Sequence, residues 1–356
     1  MMLKDLGYTE DLENFRKKEK LDSFSVGRVI SMHKGKCMVK TDKGDFEAGI
    51  TGKLRFLAKN KSDFPAVGDW VAIAEHDEDK ALIRAIFPRK TIIEREATRG
   101  GTAEKQIIAT NVDYALIFQA VDRDFNINRL ERYLTICNAS GVKPIIILTK
   151  IDLINETQIE SIVSSIQKRI KNIPVFTISN ETEVGYEKLL EAIEKRKTYC
   201  LLGSSGVGKS TFLNNISGKE LMKTGPIGSR TNKGRHITSH RELVVLKNGG
   251  ILIDNPGMRG VGVTDAEGGL EVTYDKIIEL SQNCKFNDCK HVQEKDCAVL
   301  EAVKKGYINK ASYDNYIKME KEKTHFTLTL AEKRKKDKNF GKMIKKYKKQ
   351  LVKDNY

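Results

Sequence analysis

The run Gly203-Ser204-Ser205-Gly206-Val207-Gly208-Lys209-Ser210 fits the pattern G-x-x-x-x-G-K-[ST]. It follows the apolar stretch Tyr199–Leu202 and opens a helical pattern over Ser210–Ile216, the strand–loop–helix setting such a loop requires. Its glycines let backbone N–H groups curl around a β-phosphate. Lys209 can reach the β and γ oxygens, which makes it a binding and a catalytic candidate. The Ser210 hydroxyl can ligate Mg²⁺, and Thr211 joins it in the first helical turn. A second run, Ile251–Ile253 into Asp254-Asn255-Pro256-Gly257, ends an apolar strand in a D-x-x-G turn. Asp254 suits a water-mediated Mg²⁺ contact, and the Gly257 N–H suits a γ-phosphate. A third group, Cys284-x4-Cys289-x-His291-x5-Cys297, offers three thiolates and one imidazole. Four soft ligands with no evident open position fit one closed, structural Zn²⁺ site; a redox role is the competing reading.

Thr149-Lys150-Ile151-Asp152 closes the apolar strand Ile145–Leu148 and resembles the guanine-reading [NT]-K-x-D box of GTPases. There the Asp accepts from guanine N1–H and N2–H₂, a donor pair adenine lacks, and the Lys stem covers the base. Ser179 ends the next strand, Val175–Ile178, and matches the Ser of the second base-side loop; Asn180 stands where Ala is usual. The order is informative. The guanine box and Ser179 precede the phosphate loop, and D-x-x-G comes last, whereas a Ras-like GTPase begins with the phosphate loop. The same strand set is cut and rejoined, a circular permutation that is feasible when native termini lie close together. Whatever follows D-x-x-G then continues directly from a nucleotide-sensing segment.

Between phosphate loop and Asp254 lies a polar, Gly-rich stretch, Gly228–Ser239, expected as a mobile loop. Thr238 is its candidate for a second Mg²⁺ oxygen. Met258 follows D-x-x-G where Ras-like enzymes place a water-orienting Gln, and a thioether cannot orient a water. His236 is the candidate to replace that function, being able to hydrogen-bond water from a loop ordered by the γ-phosphate; an exposed loop histidine is the alternative.

The elements that must position these residues can be read from patterning. Short β-rich runs at 24–31, 36–41, 45–50, 69–75 and 80–87 suggest a small OB-like or SH3-like barrel. Residues 91–112 read as a linker, and 113–274 alternate strands and helices as a doubly wound α/β domain. From 275 to 356 no strands are evident, only the Cys/His cluster and Lys-rich helical sequence, with metal binding expected to order it. The barrel spans 21–90, and residues 1–20 have no assignment. At 356 residues and net charge +15, the chain suits two or three domains and a polyanionic partner. Eleven Lys/Arg against three Asp/Glu in 331–356 place more than half of that surplus in the tail, which reads either as a solvated face or as an RNA grip. No apolar run reaches the ~18 residues of a membrane span, and the N-terminus lacks a signal-peptide core. Six cysteines are too few for a disulfide scaffold, so a reducing cytoplasm is expected.

Taken together, the permuted boxes, Val67-Gly68-Asp69-Trp70-Val71, Gly234-Arg235-His236, Asp254–Gly257 and the zinc spacing into Cys297-Ala298-Val299 resemble the circularly permuted GTPases of small ribosomal subunit biogenesis, the RsgA (YjeQ/YloQ) family. The resemblance covers nearly all of the chain after about residue 20. It implies an N-terminal OB-fold, a permuted P-loop GTPase domain and a C-terminal helical zinc domain. It further implies GTP/GDP and Mg²⁺ as ligands, a cytoplasmic monomer, and hydrolysis stimulated by the small (30S) ribosomal subunit, with contacts to 16S rRNA and no membrane role. Thr149, Asn180 and His236-Ile237-Thr238-Ser239 depart from the family pattern; the first two bear on guanine specificity and the third on Thr238 as Mg²⁺ ligand. A zinc-stabilised RNA-binding factor using the nucleotide only as a switch is the alternative, and an ATPase is disfavoured by Asp152.

Overall fold

A computed structural model describes residues 1–33, 36–99, 102–217, 242–254 and 268–327. The expected barrel forms from β1 (Ser25–His33), β2 (Lys36–Lys40), β3 (Asp45–Ile50), β4 (Trp70–Glu75) and β5 (Lys80–Ile86). Adjacent strands pair antiparallel except β3 with β5, and the β1–β4 pairing closes the ring. This is the OB arrangement. Alternating residues fill its interior, Val29, Val39, Phe46, Ala48, Ile73 and Ile83 among them. Between β3 and β4, Thr51 caps the short helix α1 (Gly52–Leu57) by accepting from Leu54 N–H.

Residues 1–20 acquire a role. A 3-10 turn at Leu3–Leu6 and a helix, Glu10–Lys18, lay Leu6, Leu12 and Phe15 against Trp70 and Phe87 on the outside of the barrel. Arg28 of β1 is fully buried there. It donates to the carbonyls of Leu6 at 2.6 Å, Gly68 at 3.2 Å and Asn111 at 3.1 Å, so one guanidinium ties N-terminus, barrel and following segment together. Burial pulls its pKa down to about 10. Gly68 has φ +98°, and any Cβ there would run into the Thr110 carbonyl.

Residues 91–112 hold more regular structure than the expected linker. They form a hairpin, β6 (Ile92–Arg99) with β7 (Thr102–Thr110), paired antiparallel along its length. At its base Ile93, Ile108 and Ala109 join the core of the next domain.

That domain contains β8 (Tyr114–Ala120), α2 (Ile127–Ala139), β9 (Lys143–Thr149), α3 (Glu156–Arg169), β10 (Val175–Thr177), α4 (Tyr186–Glu191), β11 (Thr198–Gly203), α5 (Lys209–Ser217), β12 (Glu242–Val245) and β13 (Ile251–Asp254). The spatial order is β10-β9-β8-β11-β13-β12, parallel except for β12. β8, β9 and β11 are buried on both faces, which explains their unbroken apolar runs. β11, which leads into the phosphate loop, lies between β8 and β13 although β8 precedes it by some eighty residues of sequence. One residue pair, Ser31 with Glu242, joins β12 to β1 and merges barrel and domain into a single eleven-stranded sheet.

The C-terminal part is helical: α6 (Gly269–Thr273), α7 (Asp275–Ser281), α8 (Ala298–Lys304) and α9 (Lys310–Thr327). Leu270, Tyr274, Ile277, Val299, Tyr316 and Met319 form a core of its own beside the cysteines. The reading from apolar content underestimated this core, which adds to whatever order metal binding supplies.

Candidate functional site

The phosphate loop leaves the end of β11 and enters α5. Gly203, Gly206 and Gly208 all have positive φ, conformations that side chains resist. Lys209 is 6% exposed, and its Nζ donates to the carbonyls of Gly203 at 2.9 Å and Ser204 at 2.7 Å, lying across the loop. Burial pushes its pKa down to about 8, partly countered by the Asp254 carboxylate. Asp254 closes β13 and is itself buried. Ser210 and Thr211 open α5, whose N-terminal N–H groups favour an anion. A hydroxyl and a carboxylate beside a phosphate loop form an oxygen donor set suited to Mg²⁺.

Of the Thr149–Asp152 run, Thr149 reaches this loop, while Asp152 and Lys150 pair with Ser179 and Asp122. The Ser179 hydroxyl donates to Asp152 Oδ1 at 2.5 Å. Thr149 donates through Oγ1 to the Val207 carbonyl at 2.7 Å, so it anchors the phosphate loop. Lys150 has φ +61°, and its Nζ binds Asp122 Oδ2 at 2.8 Å, which stretches the stem across the site. Burial pushes Asp122 upward, but hydrogen bonds from Lys150 and the Asp124 amide outweigh it and hold the carboxyl below its usual value.

Three interacting residues were not found from sequence. Asp122 follows β8 and has no motif. Tyr133 of α2 shares a hydrogen bond with Ser204, although its spacing reads as core. Asn180 donates to Gly208, a contact that its departure from the usual Ala does not disclose. For Asp122 the available signal was a carboxylate at the carboxyl end of a buried strand.

The Cys/His cluster is assembled. Ligand atoms of Cys284, Cys289, His291 and Cys297 all lie within 4.8 Å of one another. Cys284 Sγ stands 3.8 Å from Cys297 Sγ and 3.6 Å from His291 Nδ1, and Cys297 Sγ is 3.5 Å from that nitrogen. Tetrahedral Zn²⁺ with bonds of about 2.3 Å to sulfur requires S···S separations of about 3.8 Å. The four residues fit the ion. Glu294 accepts from the N–H groups of Lys290, Val292 and Gln293 and shapes the knuckle, while Cys297 caps α8.

His236, Thr238 and Gly257, with Met258 and the tail 331–356, lie outside the described residues.

Fold and site together define a circularly permuted P-loop GTPase. The chain belongs to the RsgA GTPase family, whose model matches residues 86–264. It is 39% identical over 90% of its length, and 89% of the relative's, to Small ribosomal subunit biogenesis GTPase RsgA 2 of Listeria monocytogenes. It is 35% identical to RsgA 1 of Bacteroides thetaiotaomicron, covering 96% of each chain. The crystal structure of YjeQ from Thermotoga maritima superposes with a TM-score of 0.60 at 25% identity, covering 83% of this chain and 96% of that one. YloQ, a circularly permuted GTPase, superposes with a TM-score of 0.59 at 26% identity, covering 86% and 97%. An ABC transporter model also matches residues 187–350, a span that includes the phosphate loop. The protein hydrolyses GTP, and guanine nucleotide and Mg²⁺ are the ligands its family implies.

Proposed function

We propose that this chain acts in the cytoplasm as a monomer in late maturation of the small (30S) ribosomal subunit, and that docking on the subunit stimulates its GTP hydrolysis. The observation that carries this reading is the permuted site itself, with Asp152, Lys209 and Asp254 brought to one end of the sheet, in a chain 39% identical to a small-subunit biogenesis GTPase. In this reading Asp152, steadied by Ser179, reads guanine N1–H and N2–H₂. The Lys150 stem covers the base. The N–H groups of Ser204 to Lys209 cradle the phosphates, with Lys209 on the β/γ oxygens. Ser210, Thr238 and Asp254 hold Mg²⁺, which supplies charge neutralisation at those oxygens, and Gly257 contacts the γ-phosphate. His236 orients the attacking water in the absence of a glutamine at Met258. Cys284, Cys289, His291 and Cys297 hold one structural Zn²⁺.

The barrel supports an RNA partner, 16S rRNA. On and beside α1, Phe56 is 89% exposed among Lys53, Arg55, Lys59 and Lys61, an aromatic face in a cationic surround that suits base stacking with phosphate contacts. The basic tail adds a second cationic segment. Among the described residues no helix is long and apolar enough to cross a membrane.

The test is phosphate release from GTP with and without purified small subunits, together with GTP-dependent co-sedimentation across a salt series. Strong stimulation and a steep fall in binding with salt are expected. Turnover unaffected by subunits would leave the nucleotide acting only as a binding switch.

A further inference from the structure

Asn180 lies directly after Ser179, on the loop that leaves β10. Its Nδ2 donates to the Gly208 carbonyl at 2.9 Å. Its Oδ1 accepts from the Tyr186 hydroxyl at 2.8 Å, which fixes the end of the amide that faces Gly208. Asn215 of α5 completes the arrangement, donating to the Asn180 carbonyl at 2.9 Å and to the Tyr186 oxygen at 3.2 Å. Tyr186 is buried and meets Phe212 edge-on at 5.4 Å. The Gly208 carbonyl also accepts from Phe212 N–H at 2.9 Å, so it is an acceptor of the first turn of α5. One residue earlier, Val207 takes the Thr149 hydroxyl.

Consecutive carbonyls immediately before Lys209 are thus each held by one side chain from a different base-side loop. Gly208 has φ +94°, and a Cβ there would collide with Asn180 Nδ2, so the two positions are fitted to each other. We infer that Asn180 is a positioning residue: acting through Gly208, it locks the phosphate loop and Lys209 to the guanine-side loop, so that base and phosphates bind to one preorganised unit. Both ends of its side-chain amide are taken by protein groups, so the side chain acts on the loop and not on the base. This rests on the proposed roles of Asp152 and Lys209. Without the amide, the phosphate loop must be ordered at the expense of phosphate binding, while the base subsite keeps its contacts.

The experiment compares GMP and GDP affinities of the full-length wild type with Asn180→Ala and Asn180→Asp, alongside their melting temperatures. GMP binding is expected to stay within about twofold, while Asn180→Ala weakens GDP by about tenfold, the worth of one hydrogen bond in a preorganised site. Asn180→Asp is expected to lose more, because a carboxylate accepts from Tyr186 but repels the Gly208 carbonyl. Should Asn180→Ala fail to fold, Tyr186→Phe removes only the hydroxyl that aims the amide, with the same direction of effect and a smaller size. Equal losses for GMP and GDP, an unchanged GDP affinity, or a lowered melting temperature with an unchanged GMP-to-GDP ratio would each overturn the inference. Asp152→Asn is the separate control: undiminished GDP binding there sinks the guanine-box assignment whatever Asn180 does.

Discussion

Asn315 of α9 donates to Glu131 of α2 at 2.7 Å in a buried hydrogen bond that spans 184 residues of chain. The same carboxylate, 2% exposed, accepts from Arg169 of α3 at 2.7 Å, Ser312 at 2.8 Å and Tyr274 at 3.1 Å. Arg132 to Glu322 and Lys323 to Glu271 flank it. The helical module is thereby fastened to α2, the helix whose Tyr133 reaches the phosphate loop.

Glu131→Ala is expected to destabilise that junction by about 3–5 kcal/mol, since it leaves the Arg169 guanidinium and several donors without their buried acceptor. Limited proteolysis followed by mass analysis reports this directly. New cleavage should appear near residues 268–275 while the α/β core stays intact, and an unchanged digestion pattern would refute it.

Lys209 gives a pH prediction. Its folded value of about 8 lies below the ordinary lysine value of 10.5, so burial costs stability while the group is charged. That cost is fully present below about 8 and is relieved as pH rises toward the unfolded value. An anionic phosphate favours the charged form. GDP binding should therefore take up a large fraction of a proton at pH 8.5, where its phosphates are fully ionised, whereas at pH 6.5 Lys209 is already charged and takes up none. Calorimetry in two buffers of different ionisation enthalpy measures this; zero uptake at pH 8.5 would contradict it.

Purified protein is expected to carry one zinc per chain, counted by elemental analysis. Cys297→Ser should lose it, because that sulfur is both a candidate ligand and the cap of α8. The module core at Leu270, Tyr274 and Met319 should keep part of its helicity after chelation. Complete loss of the C-terminal helical signal would show that this core does not hold without metal.

His236→Ala should lower GTP turnover by about 10²-fold or more while changing GTP affinity little, as expected for a group acting on the water. Equal turnover in single-turnover assays removes His236 from the mechanism.

If the barrel face docks on RNA, Lys53→Ala should lower the slope of log affinity against log salt by about one unit. Phe56→Ala should weaken subunit binding without changing that slope, and Phe56→Trp should restore it. Rescue by leucine instead would point to an apolar protein groove.

The sequence by itself determined the class of the protein and the order of its motifs. Phosphate loop, guanine box, D-x-x-G turn and zinc spacing are contiguous runs, and their function depends on local backbone and residue type. The five barrel strands were legible for a similar reason, because alternation at period two survives in a half-buried strand. The hairpin at 92–110 was not, although Arg99-Gly100-Gly101-Thr102 marks a turn; its arms, Glu94–Arg99 and Thr102–Gln106, are largely charged and polar and lack the alternation that identifies a strand. Tertiary structure alone decided how the parts are joined: the parallel β3–β5 pair of the barrel, Arg28 binding three segments, the four residues that donate to Glu131, and Asn180 on Gly208. These are contacts between buried polar groups distant in sequence. Local periodicity carries no record of them, because a buried donor is satisfied by whichever acceptor the fold brings near.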